Sequence, residues 1–367
     1  MNSSRRIMST AVGMMNGSSG AAPPSTDVLR VLTEVTFVPI GSLMCLCNGL
    51  VFLAIVRYEA LRDAKEYVVV GALALADAIS GFATAFGGTR VASLSLRGAG
   101  LYSMALSKRF CILTPHVFGW NFSDLPQSLM LLAVSLDRLL VVLAPMSYIA
   151  WGRRYAFALV GSVYVVSLAS AAFLFSTAWP YTDDDQAAYC ATSHVRFKPH
   201  HALHKLVRLV AAMTSIGVYV LIIFTYRRRI RALPGSSEVV QDKLKFQRKL
   251  TATTGISAAI TLLFYGVPQT IIIASIYYPF VKNFFEAFNG YAWLIGNFNP
   301  IANLLIYASK QAEIRMAVKA LLRCKTMPSD IDTWHKQALV AQATRFGANT
   351  TTHQNNTVAV SRDARQE

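Results

Sequence analysis

Long apolar runs recur along the chain, separated by short polar stretches. Val31–Val56 carries only Glu34, near its start, and Val68–Gly88 only Asp77. Cys111–Ala144 carries Asp124, Asp137 and Arg138. Tyr155–Tyr181, Leu209–Tyr226, Leu250–Val281 and Ala287–Ser309 carry no Asp, Glu, Lys or Arg. A bilayer core about 30 Å thick takes roughly 20 apolar residues in helix. Each run is long enough, so the pattern predicts seven spanning helices in a single domain. The buried helices of a soluble all-helical protein are shorter and amphipathic, and that reading fits poorly.

Composition agrees. The 367 residues are 54% hydrophobic and 15% charged, and the mean hydropathy is +0.40. Soluble domains of this size usually carry more charge. Met1–Thr26 is rich in Ser, Gly and Pro and lacks the apolar core of a cleaved signal. The first spanning helix is expected to act as its own insertion signal.

The formal charge of +16 sets an orientation. With the N-terminus outside, the inner loops and proximal tail hold eighteen Lys and Arg, among them Arg57, Arg227–Arg229 and Lys249, and the outer segments hold ten. This bias favours the N-terminus outside. The basic residues flank spans and do not form one stripe, which argues against nucleic-acid binding. Asn2 and Asn16 begin outer glycosylation sequons, and Asn121 begins one inside a span, where it is discounted.

The five cysteines divide by depth. Cys45 and Cys47 lie within the first span and read as buried apolar residues. Cys111 and Cys190 lie on the outer, oxidising side, which invites a disulfide between the third span and the loop after the fourth; two free thiols are the other reading. Cys324 follows a basic amphipathic stretch on the inner side, a position suited to S-palmitoylation or to a free thiol.

Polar groups inside a membrane are costly and usually functional. Asn48, Asp77 and Gln127 lie at similar depths, and Asn299 and Asn303 share a helix face one turn apart. Such a cluster is an interhelical hydrogen-bond network, and its carboxylate and amides also suit Na⁺ or ordered water. Pro268 and Pro300 interrupt the helix ladder and predict kinks. Asp137 and Arg138 stand together at the inner end of the third span, as a charge-assisted pair or as a snorkelling Arg with a local partner.

In this order the features resemble the rhodopsin-like (class A) G protein-coupled receptors. Asn48-Gly49, Leu73-Ala74-Leu75-Ala76-Asp77, Asp137-Arg138-Leu139 with Pro145 and Tyr148, and Asn303-Leu304-Leu305-Ile306-Tyr307 stand where that family has its signatures. Lys310–Cys324 resembles its short eighth helix. The resemblance covers about Val31 to Cys324. There are departures. Leu139 replaces a tyrosine, Pro300 sits four residues before the usual proline, and Gly266 stands where the family's switch tryptophan usually is. Helix five, about Leu206–Tyr226, has no proline, and no acid lies near Arg248. Asn299-Pro300 with Asn303…Tyr307-Ala308-Ser309-Lys310 is similar to divergent nematode receptors, of the Srsx-like chemoreceptor branch or a related peptide-receptor branch.

The resemblance implies an all-α membrane protein. Its parts are an extracellular disordered N-terminus (1–28), a seven-helix receptor domain with an amphipathic eighth helix (29–325) and a cytoplasmic disordered tail (326–367). It implies a plasma-membrane receptor for a small chemical cue or neuropeptide, acting on a heterotrimeric G protein. Asp137, Arg138, Tyr219, Tyr307, Pro268 and Pro300 would form the switch. The tail's Thr350, Thr351, Thr352, Thr357 and Ser361 are candidate phosphorylation sites through which arrestin would bind, and the basic third inner loop faces membrane lipid.

Ligand chemistry is least legible. Arg90, His116, Trp120, Asn121, Asp124, Arg208, Tyr265 and Gln269 are the candidate pocket. Asp124 either binds a cationic group or pairs with Arg90 or another internal base. Asp183–Asp185 and His194, His200, His201 and His204 lie in what reads as a solvated outer loop, without rigid metal-ligand spacing. No metal or cofactor is expected beyond Na⁺ at the Asp77 cluster. An opsin needs a lysine in the seventh span, and Ala287–Ser309 has none. A transporter would show internal repeats, and an enzyme a catalytic set; neither is apparent. The remaining alternative is a transporter or a seven-helix protein without G protein coupling.

Overall fold

The computed structural model describes residues 24–97, 106–182, 186, 188–190, 192–230, 255–277, 294–303, 305–306 and 309–325. The N-terminal sequons, Asp183–Asp185, Tyr307, most of the third inner loop and the tail lie outside these residues.

Among the described residues, five helices are long and apolar enough to cross a membrane. They are α1 (Pro24–Arg57), α2 (Lys65–Leu96), α3 (Pro115–Leu143), α4 (Arg153–Ala178) and α5 (Lys198–Ile230). The sixth span, α6, is described over 255–277 and the seventh, α7, over 294–303. Helix α8 (Ala312–Leu322) follows. The chain is a helical membrane bundle, as the apolar pattern predicts.

α1 begins at Pro24, inside the segment read as disordered through residue 28. Proline has its φ preset for a first helical turn. α1 and α2 pack closely because small residues line their contact: a Cβ added to Gly41 would lie 2.3 Å from Ala85 N, and one added to Gly81 would lie 2.5 Å from Cys45 N. α4 is the least buried of the five long helices, and Val165, Val166 and Leu168 face outward. Two hydroxyls tie it inward: Tyr164 donates to Ala72 O at 2.7 Å and Ser167 to Phe122 O at 2.6 Å.

Cys111 sits in a short helix, Lys108–Leu113, capped by Ser107, before Thr114 breaks the chain and Pro115 starts α3. The Cys111–Cys190 disulfide is formed. Leu106 and Gln186 add an antiparallel bridge that fixes the same loop.

α5 starts eight residues before the expected Leu206, at Lys198. His200, His201 and His204 are therefore on a helix, not in a solvated loop, and His204 is buried. Their polarity hides the helix from a reading of apolar runs. In α6 the segment Leu262–Gly266 is a π-turn, closed by the Val267 N–H donating to Leu262 O. It ends two residues before Pro268, which has no N–H and crowds the preceding turn. α8 lays Ile314, Ala317 and Ala320 against Val51, Ile55 and Tyr58, while Leu322 points outward. The Tyr58 hydroxyl donates to Lys325 O at 2.9 Å, fastening its end.

Candidate functional site

Three polar layers stack along the bundle. In the outer layer Asp124, on α3, faces two guanidiniums: Arg208 of α5 at 3.0 Å and Arg196 of the outer loop at 3.3 Å. The aspartate thus pairs with bases other than Arg90. Arg90 instead donates to Ala188 O at 2.9 Å and holds the loop. Arg196 also donates to Asn121 Oδ1 and lies 3.1 Å from His204 Nδ1. Burial pushes the Arg196 guanidinium below its usual value, and Asp124 pushes it back up. Arg208 lies over the Tyr265 ring, 5.2 Å from its centroid.

His116 contacts Tyr189 O at 3.2 Å, and the Trp120 indole donates to Thr84 at 3.1 Å. These two side chains brace α3 against the loop and α2. The Asn121 amide donates to Val117 O, so its sequon is buried.

A cavity of about 70 Å³ joins the outer layer to the middle one, lined among others by Asp124, Arg208, Tyr265, Gln269, Asp77 and Asn303. Gln127 donates to Asp77 at 2.9 Å. On the facing side Thr261 donates to Asn299 at 2.8 Å and Ser257 donates to Asn303, joining α6 to α7. Asn48 is the exception: its amide donates to Met44 O in its own helix. Gly266 is buried near Leu262 and Met213; Tyr265, one residue earlier, lines the cavity.

The inner layer is a lock. Arg138 donates to Asp137, and both are buried. Tyr148, in the short helix Pro145–Ala150, donates its hydroxyl to the same carboxylate at 3.2 Å. Burial, with Glu66 nearby, holds that hydroxyl above its ordinary value. The Lys65 ammonium donates to the Tyr148 and Trp151 carbonyls and lies 3.7 Å from the Tyr148 ring centroid. Tyr219 is buried with Ile222 and Ala258 beside Leu139 and Val142.

The sequence reading missed Arg196, Thr261, Ser257 and Lys65. Arg196 had one signal. It lies six residues after Cys190, whose bond to Cys111 draws this loop over α3. Cys324 is exposed at the end of α8. Among the described residues no group of three His, Cys, Asp or Glu is placed to hold a metal ion.

Residues 47–307 match the 7 transmembrane receptor (rhodopsin family). That is more than half the chain, so the protein belongs to the rhodopsin family of seven-transmembrane receptors. No curated protein matches the chain.

Proposed function

We propose that the protein is a plasma-membrane receptor, N-terminus outside, that binds an extracellular ligand in the outer cavity and activates a heterotrimeric G protein. The observation that carries this is the inner lock: a buried Asp137–Arg138 pair, capped by Tyr148, at the inner end of the helix that also carries Asp124. A ligand that shifts α3, α5 and α6 at the outer layer moves elements that pack against this lock. Opening it frees a guanidinium that is buried at rest, at the face where a G protein docks. The link runs inward from the cavity through the hydrogen bonds of Thr261 to Asn299 and to Ser257 O, and of Ser257 to Asn303.

The test is nucleotide exchange on a G protein in membranes holding the full chain. Arg138→Ala is expected to abolish ligand-stimulated exchange while leaving the chain at the cell surface. Stimulated exchange that survives this change intact rules out the Asp137–Arg138 assignment. A small chemical cue fits a cavity of about 70 Å³ better than a neuropeptide.

A further inference from the structure

We propose that the outer cavity takes a small carboxylate, gripped by Arg208 in competition with Asp124, while Arg196 holds that aspartate from the loop; this rests on the receptor reading in placing the ligand there. Charge comes first. Among the described residues Asp124 is the one carboxylate against this group of cations, which comprises Arg196, Arg208 and, behind them, Lys205. Two guanidiniums share one aspartate, and the Arg208 Nε is buried without a partner. Among the described residues the layer therefore carries excess positive charge and one unused guanidinium donor. A buried surplus of this kind is costly until an anion completes it. Guanidiniums suit a carboxylate because their parallel N–H groups match its two oxygens.

Geometry agrees. Arg208 lines the cavity while contacting Asp124, so one guanidinium serves the internal acid and the open space together. Ser128, Tyr265 and Gln269 supply further polar groups around that space, and Leu131, Ala212 and Pro300 supply apolar wall. A cavity of about 70 Å³ holds roughly five water-sized centres, which suits a short acid and not a peptide. A cationic amine fares worse. To reach Asp124 it displaces two guanidiniums and then sits among them.

The experiment follows thermal unfolding of the purified full chain in lipid nanodiscs with sodium propionate. Sodium chloride at equal strength and neutral propionamide are the controls. A ligand that binds only the folded state raises the midpoint, and so small a ligand binds in roughly the millimolar range or weaker. Propionate is expected to raise the midpoint where chloride and propionamide do not. Asp124→Asn removes the internal competitor and is expected to tighten propionate about tenfold. Arg208→Gln is expected to lose the response. Because Arg208→Gln alone leaves Asp124 with Arg196 as its remaining ion-pair partner among the described residues and changes the local charge, the charge-balanced double variant Asp124→Asn/Arg208→Gln is tested too, and it also loses the response. No shift in either the wild type or Asp124→Asn overturns the proposal. So does propylammonium stabilising the wild type more than propionate, with loss in Asp124→Asn. The assay uses no G protein, so a propionate shift without any stimulated exchange defeats the receptor reading alone. Exchange driven by other ligands, with no propionate shift, defeats the carboxylate alone.

Discussion

Asp124 accepts from two guanidiniums on different elements, and Asp137 accepts from a guanidinium and a phenol. Residue by residue, these two carboxylates organise the outer and inner ends of α3. Their partners differ in what their loss costs. Removing the Tyr148 hydroxyl leaves Asp137 paired with Arg138, so Tyr148→Phe is expected to fold. A hydrogen bond to a charged group contributes about 1.5–3 kcal/mol. Its loss at the lock is expected to raise ligand-independent nucleotide exchange several-fold over the wild type at equal surface expression. Unchanged basal exchange would assign Tyr148 a packing role only. Arg138 was legible beside Asp137 because the two are neighbours in the chain. The Asp124–Arg208 and Asp124–Arg196 pairs were not, since helix packing and a disulfide-tethered loop bring them together.

At the scale of elements, the α1–α2 contact is set by backbone approach at Gly41 and Gly81. A Cβ on Gly81 meets the Cys45 backbone nitrogen, which no side-chain rotation relieves. Gly81→Leu is expected to cost at least about 1–3 kcal/mol, read as a lower unfolding midpoint and poorer surface delivery. Gly49, whose added Cβ meets nothing, is the control, and Gly49→Ala is expected to be silent. The apolar runs made the long helices legible, because a lipid-facing helix such as α4 is uniformly apolar. α5 was cut short because Lys198–Lys205 is basic and histidine-rich, and hydropathy cannot see a helix continuing above the membrane. The π-turn at Leu262–Gly266 was invisible for a related reason. Its apolar residues suit any helical winding, so only the packing around Pro268 reveals it. A position inside an apolar run does not choose a partner for Asn48, and its own helix supplied one at Met44 O.

Across the molecule, the Cys111–Cys190 disulfide closes a long loop, its ends 79 positions apart in the chain, and sets Arg196 over α3. Cys190→Ser is expected to destabilise by about 2–4 kcal/mol. It is also expected to weaken the propionate response more than Gly81→Leu does when both are compared at equal folded fraction, since only the former releases Arg196. Equal weakening would show that the loop does not help form the pocket. The described residues that line the outer cavity are different from those of the inner lock, so a signal between them is expected to pass through helices that move as units. Here the π-turn in α6 acquires a meaning. It holds one residue more than an α-turn needs, so the helix carries slack. Taking up that slack rewinds the helix beyond Gly266 by about 100° relative to the part before it, a screw motion that leaves the span unbroken.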